Sequence, residues 1–233
     1  MAAGGTLIAS STAILDNVSS GTHNIANSSG QAIYDLTGSA TAPVTVEGVS
    51  LTLGTDRPLR GSGICSSCPI PGSLVTASGA TINTEQVVKL STGLLEATSP
   101  LVSLASSLTS NSDLVKLVQN AKLLGNVPGD ALTKLNGSTL TVTSGSLFNV
   151  AGGSLLDVTG GHLFSLTNTS TLNILNGPLI MVSGGSVFRI SGFLGTLGAG
   201  TNTLNFTTPT SCGGPCSLTV GGFGIQLTNG AVA

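Results

Sequence analysis

Large apolar and polar residues alternate through the second half of the chain within a unit of eight that recurs from Gly137 to Gly192. The octads read GSTLTVTS, GSLFNVAG, GSLLDVTG, GHLFSLTN, TSTLNILN, GPLIMVSG and GSVFRISG. Position four is Leu140, Phe148, Leu156, Phe164, Leu172, Ile180 and Phe188, and position six is Val142, Val150, Val158, Leu166, Ile174, Val182 and Ile190. Between them stand Thr141, Asn149, Asp157, Ser165, Asn173, Met181 and Arg189. Alternation of period two predicts a strand with one buried face. Gly, Ser and Asn at each octad boundary supply tight bends. Strands this short, each followed by a corner, fit the sides of a coil whose turns stack in parallel.

The pattern predicts an all-β fold, a parallel β-solenoid (β-helix), with right-handed coiling expected. Three octads would close a three-sided coil of about 24 residues. That spacing stacks Leu140 on Phe164 on Phe188, Phe148 on Leu172, Leu156 on Ile180, and Asn149 over Asn173. A two-sided, sixteen-residue coil is the alternative. Looser units upstream, such as Val87-Val88-Lys89-Leu90 and Leu114-Val115-Lys116-Leu117, extend the solenoid over residues 84–208. The segment Asn111 to Gly125 also fits an amphipathic helix, with Asp113 near its start. Strand is preferred there because a helix would interrupt the repeat. Residues 1–83 read as an irregular β-rich N-terminal segment, and 209–233 as a cysteine-containing loop with closing strands.

Position three holds Leu147, Leu155, Leu163, Leu179 and Val187. At a corner these turn inward and complete the core; otherwise they form an exposed ridge, a candidate contact surface.

Composition narrows the function classes. Only 7% of residues are charged, and the net charge is −2, so copies repel one another weakly. The seven Lys and Arg are spread along the chain and form no patch for nucleic acid. No apolar run is long enough for a transmembrane helix. Tyr34 is the only Tyr and there is no Trp, so the aromatic girdles of a membrane barrel are missing. The first residues lack the charged and apolar regions of a signal peptide. An extracellular or cell-surface location is expected, with the leader removed or another export route used.

The cysteines fall in two close pairs, Cys65 with Cys68 and Cys212 with Cys216. A structural disulfide, within or across the pairs or between subunits, is the ordinary reading for an extracellular protein. Zinc would need all four thiolates to converge. Redox chemistry would need a helix N-terminus, which Pro69 and Pro71 oppose. His23 and His162 are the only histidines, and His162 is expected at the surface beside a corner. No nucleophile elbow, zinc-protease motif or phosphate loop occurs, and Asp157 and Arg189 are isolated charges among the octads. No catalytic residue, cofactor or metal site is expected. A recurrent Asp for calcium is missing. An ice-binding face would need a regular Thr array, and position five has Thr only at Thr141. The sequons in so Asn- and Thr-rich a chain carry no weight.

From about Val87 to Phe206 the chain resembles the glycine- and threonine-rich repeats of bacterial surface β-solenoids, the filamentous-haemagglutinin-like adhesins and autotransporter passengers. The resemblance implies export, a bacterial cell surface and a structural or adhesive role; it transfers no functional residue. A solenoid also leaves backbone unpaired at its ends unless they are capped. The first expectation is therefore a non-enzymatic subunit of an extracellular filament or surface layer, whose partner is another copy of itself. The alternative is a monomeric adhesin or glycan-binding module, with surface glycan or cell-envelope attachment. A carbohydrate-active solenoid enzyme comes third.

Overall fold

A computed structural model of the chain describes residues 73–91, 94–214, 216–220 and 225–227, together with short strands between Thr6 and Thr52 and at Ala231–Val232. The described residues are all-β, with no helix among them, and the strands stack in parallel as the coils of a β-solenoid.

Four ladders run up the stack. Val75, Val102, Thr133, Phe164, Gly195 and Ile225 are successive rungs of the first. Ile82, Leu108, Leu140, Leu172 and Leu204 form the second. Val88, Val115, Phe148, Ile180 and Thr210 form the third. Leu95, Leu123, Leu156, Phe188 and Leu218 form the fourth.

One coil therefore consumes four octads, not three. Side-chain hydrogen bonds between neighbouring rungs, such as Asn173 to Thr141 and Asn205 to Asn173, join residues 32 apart. This corrects the 24-residue, three-sided coil and excludes the sixteen-residue one. Leu140 lies under Leu172 rather than Phe164, Phe148 under Ile180, Leu156 under Phe188, and Asn149 under Met181 rather than Asn173. The physical reason is that an octad specifies the length of one side and not the number of sides. A wider coil needs more filling, and Leu147, Leu163 and Leu179 supply it: each turns inward and is buried.

All seven position-four residues, Leu140, Phe148, Leu156, Phe164, Leu172, Ile180 and Phe188, are fully buried, and so are their position-six neighbours. The three phenylalanines are spread over different ladders and rungs, so no level of the interior has to hold two rings in one column. Around Asn111 to Gly125 the chain forms strands Val115–Val118 and Lys122–Asn136. The corner between them is made by Gln119 and Asn120 at φ 58° and 62°, which is incompatible with a continuous helix.

The ladders run on through residues 83/84 and 208/209. Ser73–Thr84 is a full rung of the first two, and Thr203–Gly213 of the second and third. The N-terminal segment joins them as well. Ala13–Ser19 and Thr22–Asn24 pair in parallel with Ser73–Thr84, and Tyr34–Thr37 with Val88–Ser91. Ser50–Thr52 pairs antiparallel with both Leu94–Ala97 and Thr45–Glu47.

Corners are tied by side chains at octad position two. Ser170 Oγ accepts from the Ser138 amide at 3.2 Å, and the Ser170 amide donates to Asn202 Oδ1 at 2.9 Å. Ser154 Oγ accepts from the Ala121 amide at 3.1 Å, and the Ser154 amide donates to Ser186 Oγ at 3.1 Å. At a third corner the Ser146 amide donates to Asp113 Oδ1 at 2.9 Å. Leaving such amides unpaired inside would cost about 1–3 kcal/mol each. The recurrent Gly-Ser is therefore a bend followed by a buried capping hydroxyl.

Thr133 departs from this economy. It is fully buried on the first ladder, and its Oγ1 has no hydrogen-bond partner. Valine has the same shape without the desolvated hydroxyl. Thr133→Val is expected to stabilise the fold by about 1–2 kcal/mol, read as a higher urea midpoint at unchanged m-value. A lower midpoint would show that the hydroxyl is satisfied in the native state.

Candidate functional site

Each ladder presents an outer face built by the outward residues of its rungs. The faces differ sharply in chemistry. On the third, Lys89, Lys116, Asn149, Met181 and Ser211 form one column. Asp113 lies buried beside it, accepting from Asn149 Nδ2 at 2.9 Å and facing Lys116 Nζ at 3.6 Å. Every close contact of this carboxylate is structural.

On the fourth face Asp157 and Arg189 are neighbours on successive rungs and form an ion pair of 3.2 Å. Such an exposed pair contributes well under about 1 kcal/mol, and its register explains why two seemingly isolated charges occur. The position-three ridge is not continuous. Leu147, Leu163 and Leu179 are inside, while Leu155 and Val187 alone remain half-buried, one above the other on this face. The five-residue contact ridge is thus reduced to two, because position three turns inward on the first and third ladders and outward on the fourth.

The first face holds a shallow polar groove of about 260 Å³, lined by Asp130, His162, Ser165, Thr167 and Thr196 between Gly129 and Gly198. Asp130 is braced by Lys134 Nζ at 2.8 Å and by the Ala131 amide at 3.0 Å. His162 is half-buried rather than freely exposed, with its ring 5.8 Å from that of Phe193. It replaces the capping serine at this corner, and its buried Nδ1 has no hydrogen-bond partner. His23 lies on the strand Thr22–Asn24, in register with Ile82 at the foot of the second ladder.

Among the described residues the second face carries no charge on its outward columns. Thr81, Ser107, Thr139, Thr171 and Thr203 follow one another in register in one column. Asn83, Thr109, Thr141, Asn173 and Asn205 follow in the next. Asn173 Nδ2 donates to Thr141 Oγ1 at 3.3 Å, and Asn205 Nδ2 to Asn173 Oδ1 at 2.8 Å. Position five makes no regular Thr array here either, but position three adds a Thr-rich column that the octads read in sequence did not show. Position five alone, read along consecutive octads, mixes four different faces. Read every fourth octad, position three of this face is Thr at Thr81, Thr139, Thr171 and Thr203 with Ser107 between, while position five is Thr only at Thr109 and Thr141 and otherwise Asn.

Cys65 and Cys68 lie outside the described residues. Cys212 is the penultimate residue of the strand Thr203–Gly213, in register with Val182, and Cys216 opens the next in register with Ser186, on either side of the corner at Gly214. Among the described residues no three His, Cys, Asp or Glu side chains converge as metal ligands, and no helix is long and apolar enough to cross a membrane. Asp113, Asp130 and Asp157 belong to different faces, so no carboxylate pair is placed for glycoside hydrolysis among them. The chain matches no protein-family model, no curated protein and no solved structure.

Proposed function

We propose that the protein is a structural subunit of a self-assembling extracellular filament or surface layer, joined by strand addition or end-to-end stacking of the solenoid. The observation that carries this reading is the state of the last rungs. Among the described residues Thr203–Gly213, Cys216–Val220 and Ile225–Leu227 pair only with the rung beneath them. An edge of this kind is a template for another strand. The first rungs, Ala13–Ser19, Thr22–Asn24 and Tyr34–Thr37, likewise pair on one side among the described residues. A second copy stacked in register would continue the first three ladders together, whereas the foot of the fourth already carries the antiparallel strand Ser50–Thr52. Low charge, 7% of residues and −2 net, leaves little repulsion against it.

Sedimentation velocity and electron microscopy test the proposal. Particle mass should rise with concentration and give fibres or sheets of uniform width, and Thr219→Pro in the last rung should suppress growth. Monodisperse monomers at high concentration in native salt would overturn it. The polar groove on the first face favours a second reading, a monomeric adhesin or glycan-binding module. Under that reading a glycan array gives hits that Asp130→Ala removes.

A further inference from the structure

Independently of assembly, we infer that the outer face of the second ladder is an ice-binding surface. The occupant is set by geometry and by the absence of charge. Successive rungs of a β-ladder lie about 4.7–4.9 Å apart, and residues two apart on a strand about 6.6 Å. The face is therefore a two-dimensional grid of Thr, Ser and Asn side chains. Its two repeats are close to the oxygen repeats along the a and c axes of hexagonal ice.

The grid is also rigid. Thr has a β-branched side chain with restricted χ1, so the ladder holds each hydroxyl and methyl in a fixed direction. The Asn173–Thr141 and Asn205–Asn173 hydrogen bonds lock the second column from rung to rung. Behind the grid, Ile82, Leu108, Leu140 and Leu172 are all buried at the same position of their rungs. The pairing across these residues has no register shift from Ser107 to Thr203. A uniform backing keeps the face even.

Charge excludes the other three faces. Each carries at least one ionic side chain on its outward columns: Lys134 on the first, Lys89 and Lys116 on the third, Asp157 and Arg189 on the fourth. An ion imposes its own hydration shell, which does not fit the water lattice of ice. On the second face the paired columns hold only hydroxyl and amide groups with methyls beside the hydroxyls, mostly half-buried in one another. Water held between the columns can take lattice positions without losing hydrogen bonds, and many weak, registered contacts add when the surface is preorganised.

The purified full chain should show thermal hysteresis in a nanolitre osmometer, shape growing ice crystals, and partition into a slowly growing polycrystalline ice phase. Thr171→Lys and, separately, Thr141→Lys place a charge in the middle of the grid at half-buried outward positions. Each is expected to abolish the hysteresis while circular dichroism and the urea midpoint stay near wild type. Met181→Lys, on the third face, should keep the wild-type hysteresis. The inference is overturned if the wild-type chain gives no hysteresis and is excluded from ice, or if both lysine variants retain full activity. Binding to crystalline chitin or cellulose without any effect on ice would also overturn it, and would assign the grid to a polysaccharide surface. Filament formation is scored separately, so failure of one proposal leaves the other to its own measurement.

Discussion

Truncation of Phe164 to alanine is expected to cost about 3–5 kcal/mol, among the largest losses available in this core. Phe164 is fully buried between Thr133 below and Gly195 above on the first ladder. A Cβ built on Gly195 would overlap the Phe164 ring. The ring thus occupies the space that a side chain on the next rung would need, and glycine is there for volume as well as for backbone. Gly195→Leu alone should overpack the site, at about 1–3 kcal/mol or more. With Phe164→Ala the leucine can enter the vacated volume, so the double variant should be more stable than the sum of the two losses predicts. A coupling of about 0.5–3 kcal/mol in the compensating direction is expected for residues in contact. Urea midpoints of the four proteins measure it, provided that fluorescence and circular dichroism transitions coincide, because stacked coils can lose two-state behaviour. Additive losses would mean that the ring and the glycine do not share one space.

The strands, their buried face and the parallel stacking were legible from positions four and six, because alternation and burial follow directly from side-chain direction along a strand. The number of sides was not. Octads that are equal in length carry no mark of where a coil closes, and Leu140 fits under Phe164 as well as under Leu172 when only size is considered. A mark did exist in the polar positions. Thr139-Leu140-Thr141, Thr171-Leu172-Asn173 and Thr203-Leu204-Asn205 recur at four octads, as their ladder pairing reflects. Gly152 and Gly153 recur likewise as Gly184 and Gly185, and the Gly153 amide bonds to the Gly184 carbonyl. Averaging position five over all octads erased that beat and with it the array on the second face. The groove around His162 was illegible for a different reason. It depends on a histidine standing where other corners have a capping serine, and on Asp130 arriving from the coil below.

Gly161 offers the second large effect and a way to separate its causes. It makes the corner between the fourth and first ladders at φ +89°, a region that L side chains rarely adopt. A Cβ there would overlap the Val127 carbonyl oxygen and lie 2.6 Å from the Asp130 carbonyl oxygen. Both are backbone atoms of the coil below, so no rotamer change can relieve the collision. Gly185 has a similar φ of +76°, yet a Cβ there meets nothing within 4 Å. Gly185→Ala therefore reports the conformational penalty alone, about 1–2 kcal/mol. Gly161→Ala adds displacement of one coil against the next, about 1–3 kcal/mol more by analogy with overpacking. The difference between the two urea midpoints isolates the cost of separating adjacent rungs. Because Asp130 and His162 flank this corner, the same substitution should also disturb the groove, visible as a shift of the His162 ring proton signals that Gly185→Ala does not produce. Equal losses for the two variants would show that neighbouring coils yield at this corner, which would remove the rigid spacing on which both in-register stacking of copies and a lattice-matched face depend.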